Sequence, residues 1–233
     1  MKDFSNRYIF IFATIMVGVV AALLSATAMV LQPKQEKNRE IEKMRNILAS
    51  VRIESDRSNA AELFGKTIKE SLVINTKGDV VENVDPFTIE LRSEQKKPVD
   101  TQNLPLFIAS MEGDRELVII PLEGKGLWGP LYGYISLEAD MSTIYGVTFD
   151  HKGETPGLGA EINTSAFEDM FPGKRIFESD KLVSVKVIKG GAPEGDNHGV
   201  DAVSGGTITS VGLQEMLYDC LIKYQEYLIK NRN

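Results

Sequence analysis

One short stretch near the C-terminus combines hydroxyl groups with paired glycines, directly before an amphipathic segment. It runs from Asp201 to Ser210 and reads Asp-Ala-Val-Ser-Gly-Gly-Thr-Ile-Thr-Ser. Gly205 and Gly206 lack a β-carbon, so the backbone here can turn tightly and approach a ligand closely. A helix starting after them would present unpaired amide hydrogens and the positive end of its dipole, an arrangement that favours a phosphate. Thr207 brings a hydroxyl group to this junction.

Other uses of the same stretch have to be weighed against phosphate binding. Hydroxyl residues and glycines are common in turns and at helix starts, so plain helix capping by the stretch 204–210 is an open alternative. A serine hydrolase built on Ser204 is disfavoured, because the Gly-x-Ser-x-Gly elbow is missing and no order of His and Asp partners is recognisable. The stretch also lacks the Gly-Lys-Ser or Gly-Lys-Thr ending of a Walker loop, and no Gly-x-Gly-x-x-Gly opens a helix after a strand. Nucleotide triphosphate chemistry and NAD binding are therefore disfavoured.

Two further motifs carry glycines at turns. The first is Glu154-Thr155-Pro156-Gly157-Leu158-Gly159, whose composition alone predicts a rigid turn followed by a bend. The second runs from Gly124 to Pro130 and holds Trp128, the only tryptophan of the chain. An aromatic side chain on such a turn either packs against the sheet edge or flanks a planar ligand.

Taken together, the three motifs resemble the NqrC family of the sodium-translocating NADH:quinone reductases, whose members are membrane-anchored covalent flavoproteins. The run from Asp201 to Thr207 resembles the motif at which these proteins carry FMN in phosphoester linkage to threonine, with Gly206 in place of the usual Ala. The resemblance covers essentially the whole chain, including the order and spacing of the motifs. The related flavin-bearing protein of the Rnf ferredoxin:NAD complex shares the flavin motif and the anchor, but it is less similar around the turn with Trp128.

The resemblance implies a cofactor site at which Thr207 bears the FMN phosphate, with Thr209 and Ser210 as alternative acceptors. The segment around Thr155 would lie against the isoalloxazine, and Trp128 is a weaker assignment. The implied cofactor-binding residues are Trp128, Glu154, Thr155, Pro156, Gly157, Leu158, Gly159, Ser204, Gly205, Gly206, Thr207 and Ile208. No metal ligand is expected among them.

The resemblance also implies partners and a role in a larger assembly. The chain would take an electron from an iron centre in partner membrane subunits and pass it to a flavin on a further partner, within a translocase that reduces ubiquinone. A threonine hydroxyl is a poor nucleophile, so a separate FAD-dependent flavin transferase is needed for attachment. This chain alone would hold no complete catalytic site. A membrane-anchored binding module without a redox group is the alternative from a different functional class.

The N-terminal region predicts a membrane anchor. From Tyr8 to Leu31 no residue is charged, and a helix of this length spans a hydrocarbon core of about 30 Å. The resemblance implies that residues 1–7 form a short cytoplasmic tail. A cleaved signal peptide is the alternative, since small residues lie near a plausible cleavage zone, namely Ala22, Ser25, Ala26 and Ala28.

Two criteria give opposite orientations for the anchor. Five basic residues follow the span and only two precede it, which by the positive-inside rule places the following domain in the cytoplasm. They are Lys34, Lys37, Arg39, Lys43 and Arg45 after the span, against Lys2 and Arg7 before it. The resemblance implies instead a periplasmic domain on a bacterial inner membrane, and we adopt that orientation.

Composition excludes several classes of protein. A formal net charge of -7 and a pI near 5.1 disfavour a nucleic-acid surface. Cys220 is the only cysteine, so an intramolecular disulfide and a thiolate metal cluster are impossible within the chain. With only His151 and His198 in addition, no zinc-ligand spacing is present.

Hydrophobic patterning predicts one α+β domain with an antiparallel sheet behind the anchor. A stalk or first helix should cover 32–57, with Ile41, Met44, Leu48 and Val51 on one face, and the FMN-binding soluble domain should cover 58–233. A final helix over 211–227 should bury Val211, Leu217, Leu221, Tyr224 and Leu228. A short helix over 60–68 and an exposed connection over 92–103 are also expected. The predicted strands cover 71–75 with a hairpin return over 79–83, then 104–109, 116–122, 131–139, 141–149 and 182–188, and a short helix covers 167–171.

Overall fold

The computed structural model describes residues 5–113 and 115–232 of the chain. These residues divide into two compact units, an N-terminal helical unit that ends at Glu42 and a larger unit that starts at Lys43. Residues 1–4 of the predicted cytoplasmic tail lie outside the described part.

The first helix, α1, runs from Asn6 to Ser50 and contains the whole predicted span. By length and composition it is able to cross a membrane, with a mean hydropathy of 2.6 over its most apolar window. None of the residues in this apolar part of the helix is buried by the rest of the protein, as a lipid-facing segment requires. Pro33 lies inside the helix, just after this apolar part.

The helix α1 ends at Ser50, so the prediction of a helix continuing to Arg57 is wrong at its C-terminal end. Arg52 takes a φ of 61°, the left-handed conformation that commonly closes a helix. The amide of Ile53 donates to the carbonyl of Leu48 at 3.0 Å, which is the long-range hydrogen bond of a Schellman motif.

A five-stranded antiparallel sheet forms the centre of the larger unit, with its strands in chain order. They are β1 (Ile68–Ile74), β2 (Leu104–Met111), β3 (Arg115–Lys125), β4 (Pro130–Leu137) and β5 (Ile144–His151). Two small pairs accompany this sheet, an antiparallel one of β6 (Phe177–Glu178) with β7 (Lys181–Leu182), and a parallel one of β8 (Lys186–Ile188) with β9 (Gly199–Asp201). The predicted α+β class with an antiparallel sheet is confirmed.

Helices cover both faces of this sheet. Besides α1 they are α2 (Ala60–Thr67), α3 (Leu91–Glu94), α4 (Ser165–Glu168) and α5 (Thr207–Lys230). On one face, Ile47 of α1 and Val51, the residue after the helix, pack with Phe107 of β2. The hydroxyl of Ser136 in β4 donates to the carbonyl of Ser50 at 2.6 Å, which anchors the end of α1 to the sheet.

The opposite face of the sheet carries the main core and α5. Its buried residues from α5 are Leu213, Met216, Leu217, Cys220, Leu221, Tyr224, Tyr227 and Leu228. Val211 was expected among them, but its side chain is 46% exposed. The helix begins at Thr207, four residues before the predicted start, and Val211 lies on its outer side.

Two predicted strands also need correction. The strand expected over 182–188 is interrupted, because Ser184 takes a φ of 59° and its amide donates to the carbonyl of Ile176. The hairpin return over 79–83 shrinks to a single bridge between Ile74 and Val80.

The segment 92–103 is mostly exposed, as expected, but it carries most of α3 and two buried polar side chains. Glu94 is 8% exposed, and its carboxylate accepts a hydrogen bond from the amide of Asn103 at 2.9 Å. Gln102 is 3% exposed and donates to the carbonyl of Lys97 at 3.0 Å. Polarity alone indicated exposure, whereas these hydrogen bonds make burial possible.

Neighbouring residues of α5 provide a test of this packing. Leu221 is fully buried whereas Ile222 is 38% exposed. We expect Leu221→Ala to lower the free energy of unfolding by about 2–5 kcal/mol, because it leaves a cavity in the core. Ile222→Ala should cost less than about 1 kcal/mol, since a half-exposed side chain loses little burial. Urea unfolding followed by circular dichroism measures both, and equal losses would contradict the placement of the helix faces.

The sole cysteine allows a second test. Burial raises the pKa of the Cys220 thiol to about 11, so below that pH the folded protein holds it in the unreactive protonated form. Its sulfur also accepts a hydrogen bond from the amide of Glu123 at 3.5 Å. We expect iodoacetamide at about pH 9 to leave the native protein unmodified and to alkylate the urea-unfolded chain fully, because only the thiolate attacks. Intact mass reads the result, and rapid alkylation of the native protein would show that the thiol is not buried.

Candidate cofactor site

The stretch before α5 forms a tight turn. After β9, the amide of Gly206 donates to the carbonyl of Val203 at 3.1 Å, which closes a β-turn over four residues. Gly205 occupies the third position of this turn with a φ of 74°, a conformation that glycine adopts without steric cost. The hydroxyl of Ser210 accepts a hydrogen bond from the amide of Val203 at 3.1 Å, which ties the turn to the helix.

Thr207 is the first residue of α5, and its side chain is exposed. The N-cap position falls on Gly206, and no side chain of the described residues caps this helix. The stretch 204–210 thus starts the helix, with Gly206 at the N-cap and without a side-chain hydroxyl cap. The first amides of α5 lack intrahelical acceptors, as at every helix start, and remain available to an anionic group.

Among the hydroxyls of this stretch, burial separates candidates for covalent modification. Thr209 and Ser210 are each 1% exposed, whereas Ser204 and Thr207 are exposed. The hydroxyl of Thr209 donates to a carboxylate oxygen of Glu154 at 2.5 Å. Of the three candidate acceptors, only Thr207 is accessible to another molecule.

The motif that starts at Glu154 follows β5 and folds back on itself. The amides of Leu158 and Ala160 both donate to the carbonyl of Thr155 at 3.1 Å, and Gly157 takes a φ of 74°. Thr155, Pro156, Gly157 and Leu158 are exposed on this loop, while Glu154 and Gly159 are buried. The predicted rigid turn is present.

This loop meets the turn before α5 at two glycines. A β-carbon on Gly205 would lie 2.5 Å from the Leu158 side chain, and one on Gly206 would lie 3.2 Å from the backbone nitrogen of Gly159. The contact with Gly159 is tighter than ordinary van der Waals contact, so the two backbones approach closely at Gly206 and Gly159. The structure thus brings the segments 154–159 and 203–207 together.

The turn with Trp128 connects β3 to β4. The amide of Gly126 donates to the carbonyl of Gly129 at 2.8 Å, which closes the turn. Trp128 is 69% exposed, so the interpretation of simple edge packing for its ring is not supported. Its backbone amide donates to the Glu154 carboxylate at 2.9 Å, which joins this turn to the second motif. All three motifs therefore lie within one site.

A set of exposed apolar side chains projects from these three segments. It comprises Leu127, Trp128, Leu158, Ile208 and Val211, with exposed fractions of 42% or more. Exposed apolar groups around convergent backbone donors are typical of a site for a planar, largely apolar ligand. A cleft of about 670 Å³ begins at Lys125 and Gly129 beside the turn and continues along α5.

The sequence did not predict the roles of two residues in the site. Glu154 was expected to contact the cofactor, but it is 4% exposed and its carboxylate points inward to Thr209 and the Trp128 amide. Gly212 was not singled out, yet a β-carbon there would clash with the backbone carbonyl of Lys125. A glycine inside an amphipathic helix, one turn after the motif, was the available signal for this close approach.

Comparison with known proteins agrees with this geometry. Residues 126–222 match the family model of the FMN-binding domain, a range that includes Trp128 and both other motifs. The NqrC proteins of the Na(+)-translocating NADH-quinone reductases from Vibrio campbellii and Vibrio anguillarum are 32% and 34% identical to this chain. The alignments cover 84% and 88% of this chain and 83% and 86% of those proteins.

A solved crystal structure is also similar over most of this chain. The crystal structure of the corresponding protein of the Na(+)-translocating NADH-quinone reductase from Parabacteroides distasonis matches with a TM-score of 0.78 and 40% sequence identity. The match covers 85% of this chain and 96% of that chain.

The close packing in the site predicts unequal effects of adding a methyl group to two glycines. A β-carbon on Gly159 would lie 2.6 Å from a Glu154 oxygen, whereas one on Gly153 meets nothing within 4 Å. We expect Gly159→Ala to destabilise the protein by about 1–3 kcal/mol through overpacking. Gly153→Ala should stay within about 0.5 kcal/mol of the unmodified protein. Thermal unfolding monitored by circular dichroism measures the difference, and equal stabilities would refute the packing described.

Proposed function

The chain belongs to the NqrC family of the Na(+)-translocating NADH-quinone reductases, and from this premise we propose that it carries FMN as a phosphoester on Thr207 and relays electrons within that complex. The observation that carries the proposal is an exposed threonine at the first position of an uncapped helix. The family membership also favours this complex over the Rnf complex, whose flavin-bearing protein shares the motif.

Thr207 fits the role of acceptor better than its neighbours. Its hydroxyl is exposed, while those of Thr209 and Ser210 are buried and hydrogen-bonded. Ser204 is exposed as well, but it lies in the turn before the helix and not at the helix start. A group attached to Thr207 lies directly beside the free amides of the first turn of α5.

The phosphoester would be stabilised by backbone rather than by cations. One negative charge remains on a phosphodiester, and the amides and dipole at the start of α5 favour an anion there. Ser204, Gly205, Gly206 and Ile208 surround this position in the chain. An acidic protein with a net charge of -7 can hold a phosphate in this way without a basic pocket.

The exposed segments of the site supply the surface for the ring. Trp128 and Leu158 offer apolar contact, and Thr155, Pro156 and Gly157 place backbone next to it. FMN, when bound, accepts and donates electrons through its isoalloxazine ring. Because the link runs through the phosphate, the surrounding backbone and side chains are what adjust the properties of the ring.

Attachment requires an outside enzyme. The Thr207 oxygen attacks the FMN phosphorus of FAD, the pyrophosphate bond breaks, AMP leaves, and the hydroxyl proton passes to a base of the flavin transferase. This chain supplies the acceptor and its position. Asp201 accepts a hydrogen bond from the amide of Ala192 at 2.7 Å, so its carboxylate holds the loop between β8 and β9.

The proposed relay has an electron donor and an electron acceptor within the assembled complex. We propose that the electron arrives from an iron centre in partner membrane subunits and continues to a flavin on a further partner, toward ubiquinone. Sodium translocation belongs to the assembly, since the predicted span 8–31 contains no charged residue that would serve as an ion ligand.

The orientation follows the family and not the local charge. Helix α1 and the family membership fit a membrane-anchored protein, and we propose that the FMN-binding domain faces the periplasm of a bacterial inner membrane. Basic residues after the span argue for the opposite side by the positive-inside rule. Long C-terminal domains translocate largely regardless of such charges, which allows the periplasmic placement.

Replacement of the acceptor tests the proposal. We expect the full chain, produced together with its flavin transferase, to gain the mass of one FMN phosphoester, and Thr207→Ala to lose it completely. Ser165→Ala is the matched control and should keep the label, because its hydroxyl is also exposed at a helix start but lies outside the motif. Intact mass spectrometry with fragmentation measures both. A flavin that persists on Thr207→Ala after acid precipitation would refute the assignment, and an unlabelled native chain would favour a binding module without a redox group.

A further inference from the structure

Glu154 is a charged side chain in an unusual environment. It is 4% exposed, and none of the ion pairs formed by the described residues includes it. A carboxylate without a counter-ion is costly to bury unless hydrogen bonds replace its lost hydration. The presence of Glu154 in this position therefore calls for a role that depends on its hydrogen bonds.

The two carboxylate oxygens of Glu154 bind two different segments. Oε1 accepts from the backbone amide of Trp128 at 2.9 Å, and Oε2 accepts from the hydroxyl of Thr209 at 2.5 Å. The amide of Glu154 itself donates to Nδ1 of His151 at 3.3 Å, at the end of β5. One side chain thus connects the Trp128 turn, its own loop and the first turn of α5.

Two glycines make room for this carboxylate. A β-carbon on Gly126 would lie 2.5 Å from Oε1 of Glu154, and one on Gly159 would lie 2.6 Å from Oε2. Neither glycine has a positive φ, so backbone conformation does not explain them. Both leave room for the carboxylate, and Gly159 also leaves room for the hydroxyl of Thr209 that binds it.

We propose that Glu154 is a positioning residue of the cofactor site, whose carboxylate clamps the Trp128 turn to the first turn of α5. This inference rests on the proposed function, since it assigns the clamp the role of setting Trp128 and Thr207 at the separation that the bound cofactor requires. Thr207 lies two residues before the clamped Thr209, and the Trp128 ring belongs to the residue whose amide is clamped. The clamp consists of protein groups alone and is complete before attachment.

The chemistry of the clamp defines which replacements preserve it. Glu154→Gln keeps an oxygen for the Trp128 amide and offers an NH₂ group to the Thr209 oxygen, so both links survive without the charge. Glu154→Ala removes both links. Thr209→Val keeps the shape of threonine but removes the hydroxyl group. Thr209→Ser keeps the hydroxyl group.

The first experiment uses the full chain in detergent, produced without the flavin transferase. Trp128 is the only tryptophan, so its fluorescence anisotropy reports on this turn alone. We expect the anisotropy to fall in Glu154→Ala and Thr209→Val, and to stay unchanged in Glu154→Gln and Thr209→Ser. Hydrogen exchange of the peptide that contains the Trp128 amide should become faster in the same two variants, because the turn that holds this amide is loosened.

A matched control separates the clamp from general loosening. The hydroxyl of Thr143 donates to the Asp140 carboxylate at 2.6 Å, so Thr143→Val removes the same kind of hydrogen bond outside the site. It should leave the anisotropy and exchange of Trp128 at their original values. An equal change in Thr143→Val would overturn the inference. If Glu154→Ala does not fold, Thr209→Val and Thr209→Ser carry the comparison.

The second experiment repeats these variants with the flavin transferase present. We expect the absorption maximum and midpoint potential of the flavin to shift in Thr209→Val and to return in Thr209→Ser, since the ring surroundings depend on the clamp. Wild-type values of Trp128 anisotropy and flavin potential in Glu154→Ala and Thr209→Val would refute the inference. A wild-type chain without FMN mass would refute the proposed function instead, while the first experiment still decides whether the clamp exists.

Discussion

The buried Glu154 carboxylate holds together three segments that are far apart in the chain. Its hydrogen bonds to the Trp128 amide and the Thr209 hydroxyl join the turn after β3 and the start of α5 to the loop after β5. Because the carboxylate is buried, each of its partners is held in place by the high cost of leaving a buried charge unsatisfied. Gly126 and Gly159 leave space for this carboxylate, because a β-carbon at either position would overlap it.

The helix α5 serves the core and the site at once. From Leu213 to Leu228 its inner side packs into the main core over the sheet, which fixes the helix axis. Gly212 then lets the helix approach the carbonyl of Lys125 at the end of β3. As a result, the first turn of α5 lies next to the loops that carry Trp128 and Leu158. Thr207 is the first residue of this turn.

The start of α5 offers an anionic group backbone amides instead of basic side chains. The stretch before and at the start of α5 contains neither lysine nor arginine from Asp201 to Ser210. Its turn places Gly206 at the N-cap, where a side-chain oxygen would otherwise satisfy the first amides. Glycine at this position leaves these amides to a ligand, and the same turn exposes Thr207 while burying Thr209 and Ser210.

Local patterns in the sequence were enough to predict the apolar span, the runs of the five sheet strands and the tight turn at Gly205 and Gly206, because each depends on residues close together in the chain. They failed where distant groups decide the outcome. Polarity indicated that Glu94 and Gln102 are exposed, and periodicity placed Val211 in the core, yet hydrogen-bond partners and the position of α5 on the sheet reverse both. The inward direction of Glu154 likewise depends on Trp128 and Thr209, which are 26 and 55 residues away along the chain. Only the tertiary structure brings such groups within hydrogen-bond distance, so only it could decide which side of the cofactor site each residue occupies.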